Sequence, residues 1–198
     1  MLKVIEGIMK LVTSFATNCW WSIWSNFRWR NAIRNNIGVN EGDKVSTYKE
    51  LQTVAARLYK KFKYERDSIT ELWDSITPPP QNYQHYRDGK LSDDCDGFAS
   101  LMYHVLYNCG FKCYFMTVNT LGGSHCVILL NLNSKWHVCD YYTIYKGYET
   151  WQEAVQAYNE IFPSKYNIGH RVYFNGFIVY NYEKGKFNHV NKKDIGKA

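Results

Sequence analysis

No run of 18 uncharged apolar residues occurs anywhere in the 198-residue chain, which argues against a membrane-spanning helix. A secretory signal is not expected either, because Lys3, Glu6 and Lys10 interrupt the apolar residues at the start and no small-residue cleavage site follows. Together these expectations point to a cytoplasmic protein, with virion association as the alternative that its Asn-, Lys- and Tyr-rich composition suggests, in which the six cysteines stay reduced instead of forming a disulfide framework. Metal-binding spacings are missing: there is no C-x-x-C or H-x-x-x-H pair, so no metal or cofactor is expected. Proline is scarce, with four in all, and three of them stand together at 78–80, where they read as a stop for any helix around Trp73. Internal repeats and low-complexity segments are absent.

What is present is enough for one folded domain with an appendage. Hydrophobic residues make up 45% and aromatic residues 17%, ample for a core and incompatible with global disorder. The net charge of +6 is unevenly spread. Residues 1–40 carry five basic and one acidic side chain, residues 192–198 three and one, and residues 41–191 sixteen of each sign. The body is therefore neutral and is not expected to bind nucleic acid specifically. The chain divides into a helical, aromatic and basic N-terminal arm (1–40), a main domain (41–191) and a basic tail (192–198).

The arm opens with an amphipathic helical pattern over residues 2–19 and continues into Trp20, Trp21, Trp24, Phe27 and Trp29 mixed with arginines. Packing against the core or a protein partner, lying as an interfacial helix at an anionic membrane surface with Trp at the headgroups, and stacking on nucleic acid are its possible uses. In the main domain, Thr47 and Glu50 have capping-box spacing before a stripe of Leu51, Val54, Ala55, Leu58 and Phe62. The polar run from Gln81 to Ser92 reads as a long surface loop. Asp93 or Asp94 then caps a helix with Phe98, Leu101, Met102, Val105, Leu106 and Cys109 on one side and Gly110 as its stop. Three β-rich runs follow, at 111–118, 125–131 and 136–141, the last two joined by a turn containing Asn133 and Ser134. A second capping box, Thr150 to Glu153, opens a helix expected to stop before Pro163, and residues 171–182 read as a further strand. The fold class is α+β, a helix packed on an antiparallel sheet.

Chemistry concentrates on Cys95, His125 and Asp140. Cys95 falls in the first turn of its helix, where the helix dipole favours a thiolate, while Asp94 and Asp96 oppose that charge unless their carboxylates cap backbone N–H groups. If Asn133 and Ser134 form a two-residue hairpin loop, paired positions sum to 267. Val127 then lies opposite Asp140 and His125 opposite Tyr142, so that His125 and Asp140 share a face as diagonal neighbours, in hydrogen-bonding reach. A three-residue loop would put them on opposite faces. Cys109, Cys113, Cys126 and Cys139 read as small core residues, and His104, His137 and His170 as structural.

The run Asp94-Cys95-Asp96-Gly97-Phe98-Ala99, then His125 leading an apolar strand, then Trp136-His137-Val138-Cys139-Asp140, resembles the transglutaminase-like branch of the papain-like superfamily. The resemblance spans about residues 70–145, and the stretch from Trp73 to Pro79 is similar to the W…T-P segment which that family carries before its nucleophile. Asp93 departs from it, standing where the family usually has Gly. The resemblance implies a papain-like α+β core, with Cys95 as nucleophile, His125 as general base and acid, and Asp140 as its orienting partner. It also implies an oxyanion site of the Cys95 backbone N–H plus an upstream donor, for which Gln81, Tyr83 and Gln84 are candidates, with Trp73 beside the substrate. The expected function is a cysteine hydrolase, a peptidase or amidase acting through a thioester on a peptide or protein substrate. Its alternatives are a protein-glutamine acyltransferase or deamidase with the same triad, and a non-catalytic structural or virion-associated protein that keeps the fold. The Asn-, Lys- and Tyr-rich composition reads as a low-GC bacterial or phage genome.

Overall fold

A computed structural model describes residues 37–65, 77–120, 123–165, 177–183 and 186–196. Residues 1–36, Trp73, His170 and the first part of the strand expected at 171–182 lie outside them. The chain is α+β. Its main sheet has six strands in the order β6-β5-β4-β3-β7-β8, antiparallel throughout. In chain order these are β3 (Cys113–Thr120), β4 (Gly123–Leu132), β5 (Lys135–Asp140), β6 (Thr143–Tyr148), β7 (Phe177–Glu183) and β8 (Lys186–His189). Two short strands, β1 (Lys63–Tyr64) and β2 (Ser92–Asp93), pair in parallel as a separate sheet.

The period-2 rule sorts the sheet into two cores. Cys113 and Phe115 of β3, Cys126, Ile128, Leu130 and Leu132 of β4, and Cys139 of β5 face helices α1 (Tyr48–Lys61), α2 (Pro79–Arg87) and α3 (Cys95–Asn108). The alternate residues, Tyr114, Met116, Val118, Val127, Leu129 and Val138, face helix α4 (Trp151–Lys165) through Ala154, Val155 and Tyr158. Ile195 joins this second core, and the Gly196 N–H donates to the Tyr114 hydroxyl at 3.1 Å. Through Ile195 and Gly196 the basic tail is thus anchored on the sheet, while Lys192 and Lys193 are exposed.

Local chemistry explains the elements. Helix α1 starts at a complete capping box: the Glu50 N–H donates to Thr47 Oγ1 at 3.2 Å and the Thr47 N–H to Glu50 Oε2 at 3.0 Å. Helix α3 buries Phe98, Leu101, Met102, Val105 and Leu106 of the expected stripe, leaves Cys109 half-buried at its C-cap, and stops at Gly110, whose φ of 84° only glycine adopts without strain. At α4 the box is modified, since Thr150 accepts from the Glu153 N–H but Glu153 accepts from the Glu149 N–H. That helix continues past Pro163 to Lys165 instead of stopping before it. So close to the end of the helix, the missing N–H removes a single hydrogen bond.

The segment after the proline triplet differs most from expectation. Residues 81–92 are not a long loop, because helix α2 spans Pro79–Arg87. Pro79 and Pro80 open it, in the first turn, where an N–H has no intrahelical partner to lose and the fixed φ suits a helix. Strands β6 and β8 likewise stand where the sequence carries no strand signal. In β6, a bulge sets Lys146 and Gly147 against His137, with Gly147 at φ 89°, which breaks the alternation a strand signal depends on.

Candidate active site

The Asn133-Ser134 loop sets the site's geometry. Both residues have positive φ, 53° and 62°, the signature of a two-residue type I′ turn. Leu132 pairs with Lys135 and Ile128 with Cys139, the register expected. His125 and Asp140 consequently share a face, and His125 Nε2 lies 2.9 Å from Asp140 Oδ1. The predicted pairing of His125 with Tyr142 does not occur. β5 ends at Asp140, and a second tight turn at Tyr141 and Tyr142 sends the chain back as β6, with Asp140 paired to Thr143. Tyr141 takes φ 50° there, and its ring centroid lies 5.7 Å from that of His125.

Asp140 is fully buried and His125 nearly so, at 0% and 7% exposure. A carboxylate at such depth needs donors on both oxygens. His125 serves Oδ1, and the buried Tyr158 hydroxyl of α4 donates to Oδ2 at 3.1 Å. Tyr158 was invisible as a site residue, since in sequence it is only one member of an apolar stripe with Ala154 and Val155.

Cys95 is the first residue of α3 and is half-buried. The Cys126 N–H donates to its Sγ at 3.4 Å. Because that nitrogen is bonded to the His125 carbonyl carbon at about 1.33 Å, the sulfur lies within about 5 Å of the His125 backbone. The fold thus brings helix start, strand histidine and strand-end carboxylate together. The acidic neighbours are used locally: Asp94 is the N-cap, accepting from the Asp96 N–H at 3.1 Å, and Asp93 Oδ1 accepts from the Asp94 N–H at 3.0 Å. Asp93 also covers Gly97 so closely that a Cβ there would meet its side chain at 2.2 Å.

Burial pushes the Cys109, Cys113 and Cys139 thiols up, which keeps them neutral and poorly nucleophilic. Asp94, Cys95 and Asp96 place one potential metal-ligand atom each within 4.8 Å of one another.

The upstream candidates divide. Gln81 is exposed on α2, and Gln84 donates to Asp88 at 2.8 Å. Tyr83 is fully buried; its hydroxyl donates to Asp43 Oδ2 at 2.8 Å and accepts from the Asn40 N–H at 2.7 Å. Desolvation raises Tyr83 to about 12, and this hydroxyl works in the core. The α2 residue that reaches the first turn of α3 is Asn82, buried, with Nδ2 donating to the Gly97 carbonyl at 3.1 Å. Reading 81–92 as a loop hid it. Trp73 lies outside the described residues.

No family model and no curated protein matches the chain. Among solved structures, the chain is similar to LapG of Legionella pneumophila at 23% identity and a TM-score of 0.41, over 74% of this chain and 76% of that one. Against the calcium-bound form of the same protein the values are 23% and 0.42, over 72% and 76%.

Proposed function

We propose that the protein is a transglutaminase-like cysteine hydrolase that cleaves an amide bond of a peptide or protein through a Cys95 thioester. The observation that carries this reading is the His125–Asp140 bond of 2.9 Å, with Asp140 fully buried and the Cys95 sulfur at the adjoining peptide. A buried carboxylate on Nε2 orients the imidazole and stabilises its charged form. With Nε2–H donating to Asp140, Nδ1 is the ring atom that exchanges a proton with the thiol. The helix start and the Cys126 N–H both favour negative charge on the sulfur.

The thiolate attacks the carbonyl carbon, and the carbonyl π electrons move to oxygen, where backbone N–H groups at the start of α3 receive the charge. Collapse re-forms the carbonyl and breaks the C–N bond, with the imidazolium giving its proton to the departing amine. A water then surrenders a proton to His125 and attacks the thioester, releasing the carboxylic acid and regenerating the thiolate. An amine in place of that water gives acyl transfer.

The test compares wild type with Cys95→Ala on casein, on glutamine with an amine acceptor, and on cell-wall peptides, alongside iodoacetamide labelling below pH 8. Selective labelling of Cys95 and loss of turnover in the variant are expected. Uniform labelling of all six thiols, or unchanged turnover, overturns the reading.

A further inference from the structure

Beside the proposed triad lies a run of aromatic rings that packing does not fully use. It begins at His125, whose ring centroid is 5.7 Å from Tyr141. Tyr141 contacts Phe98 at 5.5 Å and Tyr59 at 5.6 Å, and Tyr59 contacts Tyr142 at 4.8 Å. Phe98 stands three residues after Cys95 and hence on the same side of α3. One end of the run therefore touches the imidazole, and its inner ring lies one helical turn from the sulfur. The outer end is open: Tyr59 is 36% and Tyr142 54% exposed.

Two features argue that the shelf is shaped for a ligand. Tyr141 holds a left-handed φ of 50°, a conformation uncommon for a bulky residue and one that turns its ring towards His125 instead of continuing β5 past Asp140. The ring contacts of Tyr59, Tyr141 and Tyr142 with one another and with Phe62 and Phe98 are tilted or edge-on, apart from one stacked pair, Tyr59 with Phe62. Such a surface rewards another uncharged ring, by area and by ring geometry. We infer that Tyr141, Tyr59 and Tyr142 form the subsite next to the reacting carbonyl and that it takes an aromatic side chain of the peptide substrate. The inference rests on the thiol-hydrolase reading and adds a substrate class to it.

The test uses the full chain and three reagents that alkylate thiols: iodoacetamide and the chloromethyl ketones of N-acetylphenylalanine and N-acetylglycine. Cys95 in the wild type should react about tenfold faster with the phenylalanine reagent than with the glycine reagent. Tyr142→Ser, at an exposed position, and Tyr59→Ser should each lose about three- to tenfold of the phenylalanine rate while the iodoacetamide rate stays unchanged. Thermal melting confirms that each variant is folded. Equal rates for the two ketones, with Cys95 still selectively labelled by iodoacetamide, overturn the subsite alone. Unselective iodoacetamide labelling overturns the thiol reading and the subsite with it.

Discussion

The Asp140 carboxylate illustrates how far single residues carry the site. It is acceptable at zero exposure because two donors from different elements, His125 and Tyr158, meet its two oxygens. Asp140→Asn, which keeps the shape but loses the charge opposite the imidazole, should lower turnover by about 10³-fold or more while Cys95 still alkylates slowly. Tyr158→Phe removes only the second donor. Under the proposed mechanism it is a positioning residue acting through Asp140, so kcat should fall about tenfold with KM little changed, and a matching rise in KM would contradict that role. Gly97 offers a separate stability test. A Cβ there would overlap the Asp93 side chain at 2.2 Å, so Gly97→Ala should lower the melting temperature by several degrees in the natural background and much less in an Asp93→Gly background. A double-mutant cycle should give a coupling of about 1 kcal/mol or more, and additivity would argue against the contact.

Elements were legible where their signals are local. The capping box of α1, the stripe and glycine stop of α3, and the hairpin register of β4 and β5 follow from short-range chemistry and stand as expected. Helix α2 is hard to see in the sequence because a proline run serves equally as the stop of a preceding helix and as the first turn of a following one, and its polar residues have no clear period. Strand β6 was missed because its bulge interrupts the alternation. The Asn133-Ser134 turn supports a prediction at this scale: Ser134 holds φ 62°, which glycine adopts more readily. Ser134→Gly relieves about 1–2 kcal/mol of left-handed backbone strain against about 0.4–1 kcal/mol of added unfolded-chain entropy, so it should stabilise the protein by up to about 1 kcal/mol, raising the melting temperature by up to about 4 °C without changing Cys95 reactivity. A destabilised variant would contradict the assigned turn.

At the scale of the whole molecule, the helical layer is tied to residue 37 by a buried histidine. His104 Nε2–H donates to the Ile37 carbonyl at 2.7 Å, and the ring stacks on Tyr83 at 4.7 Å. Desolvation lowers His104 to about 4, outweighing the Ile37 bond that favours the charged form. His137 is shifted the same way, again chiefly by burial. Between about pH 6.5 and pH 4 the unfolded chain therefore binds protons that the folded protein refuses, and stability falls as pH drops through that window. His104 alone accounts for about 3 kcal/mol of loss by pH 4. Melting curves from pH 7 to pH 4.5 should show this slope, and His104→Gln should flatten it; an unchanged slope would place the titration elsewhere. By itself the sequence determined the α+β class, the start of the cysteine helix and the shared face of His125 and Asp140, because caps, stripes and a two-residue turn act over a few residues. Only the tertiary structure decided that Tyr158 completes the carboxylate, that Asn82 reaches the first turn of the cysteine helix, that the tail is anchored on the sheet through Ile195 and Gly196, and that aromatic rings from α1, α3 and the β5–β6 turn assemble beside the imidazole. Each of those contacts joins residues distant along the chain, and their meeting follows from packing.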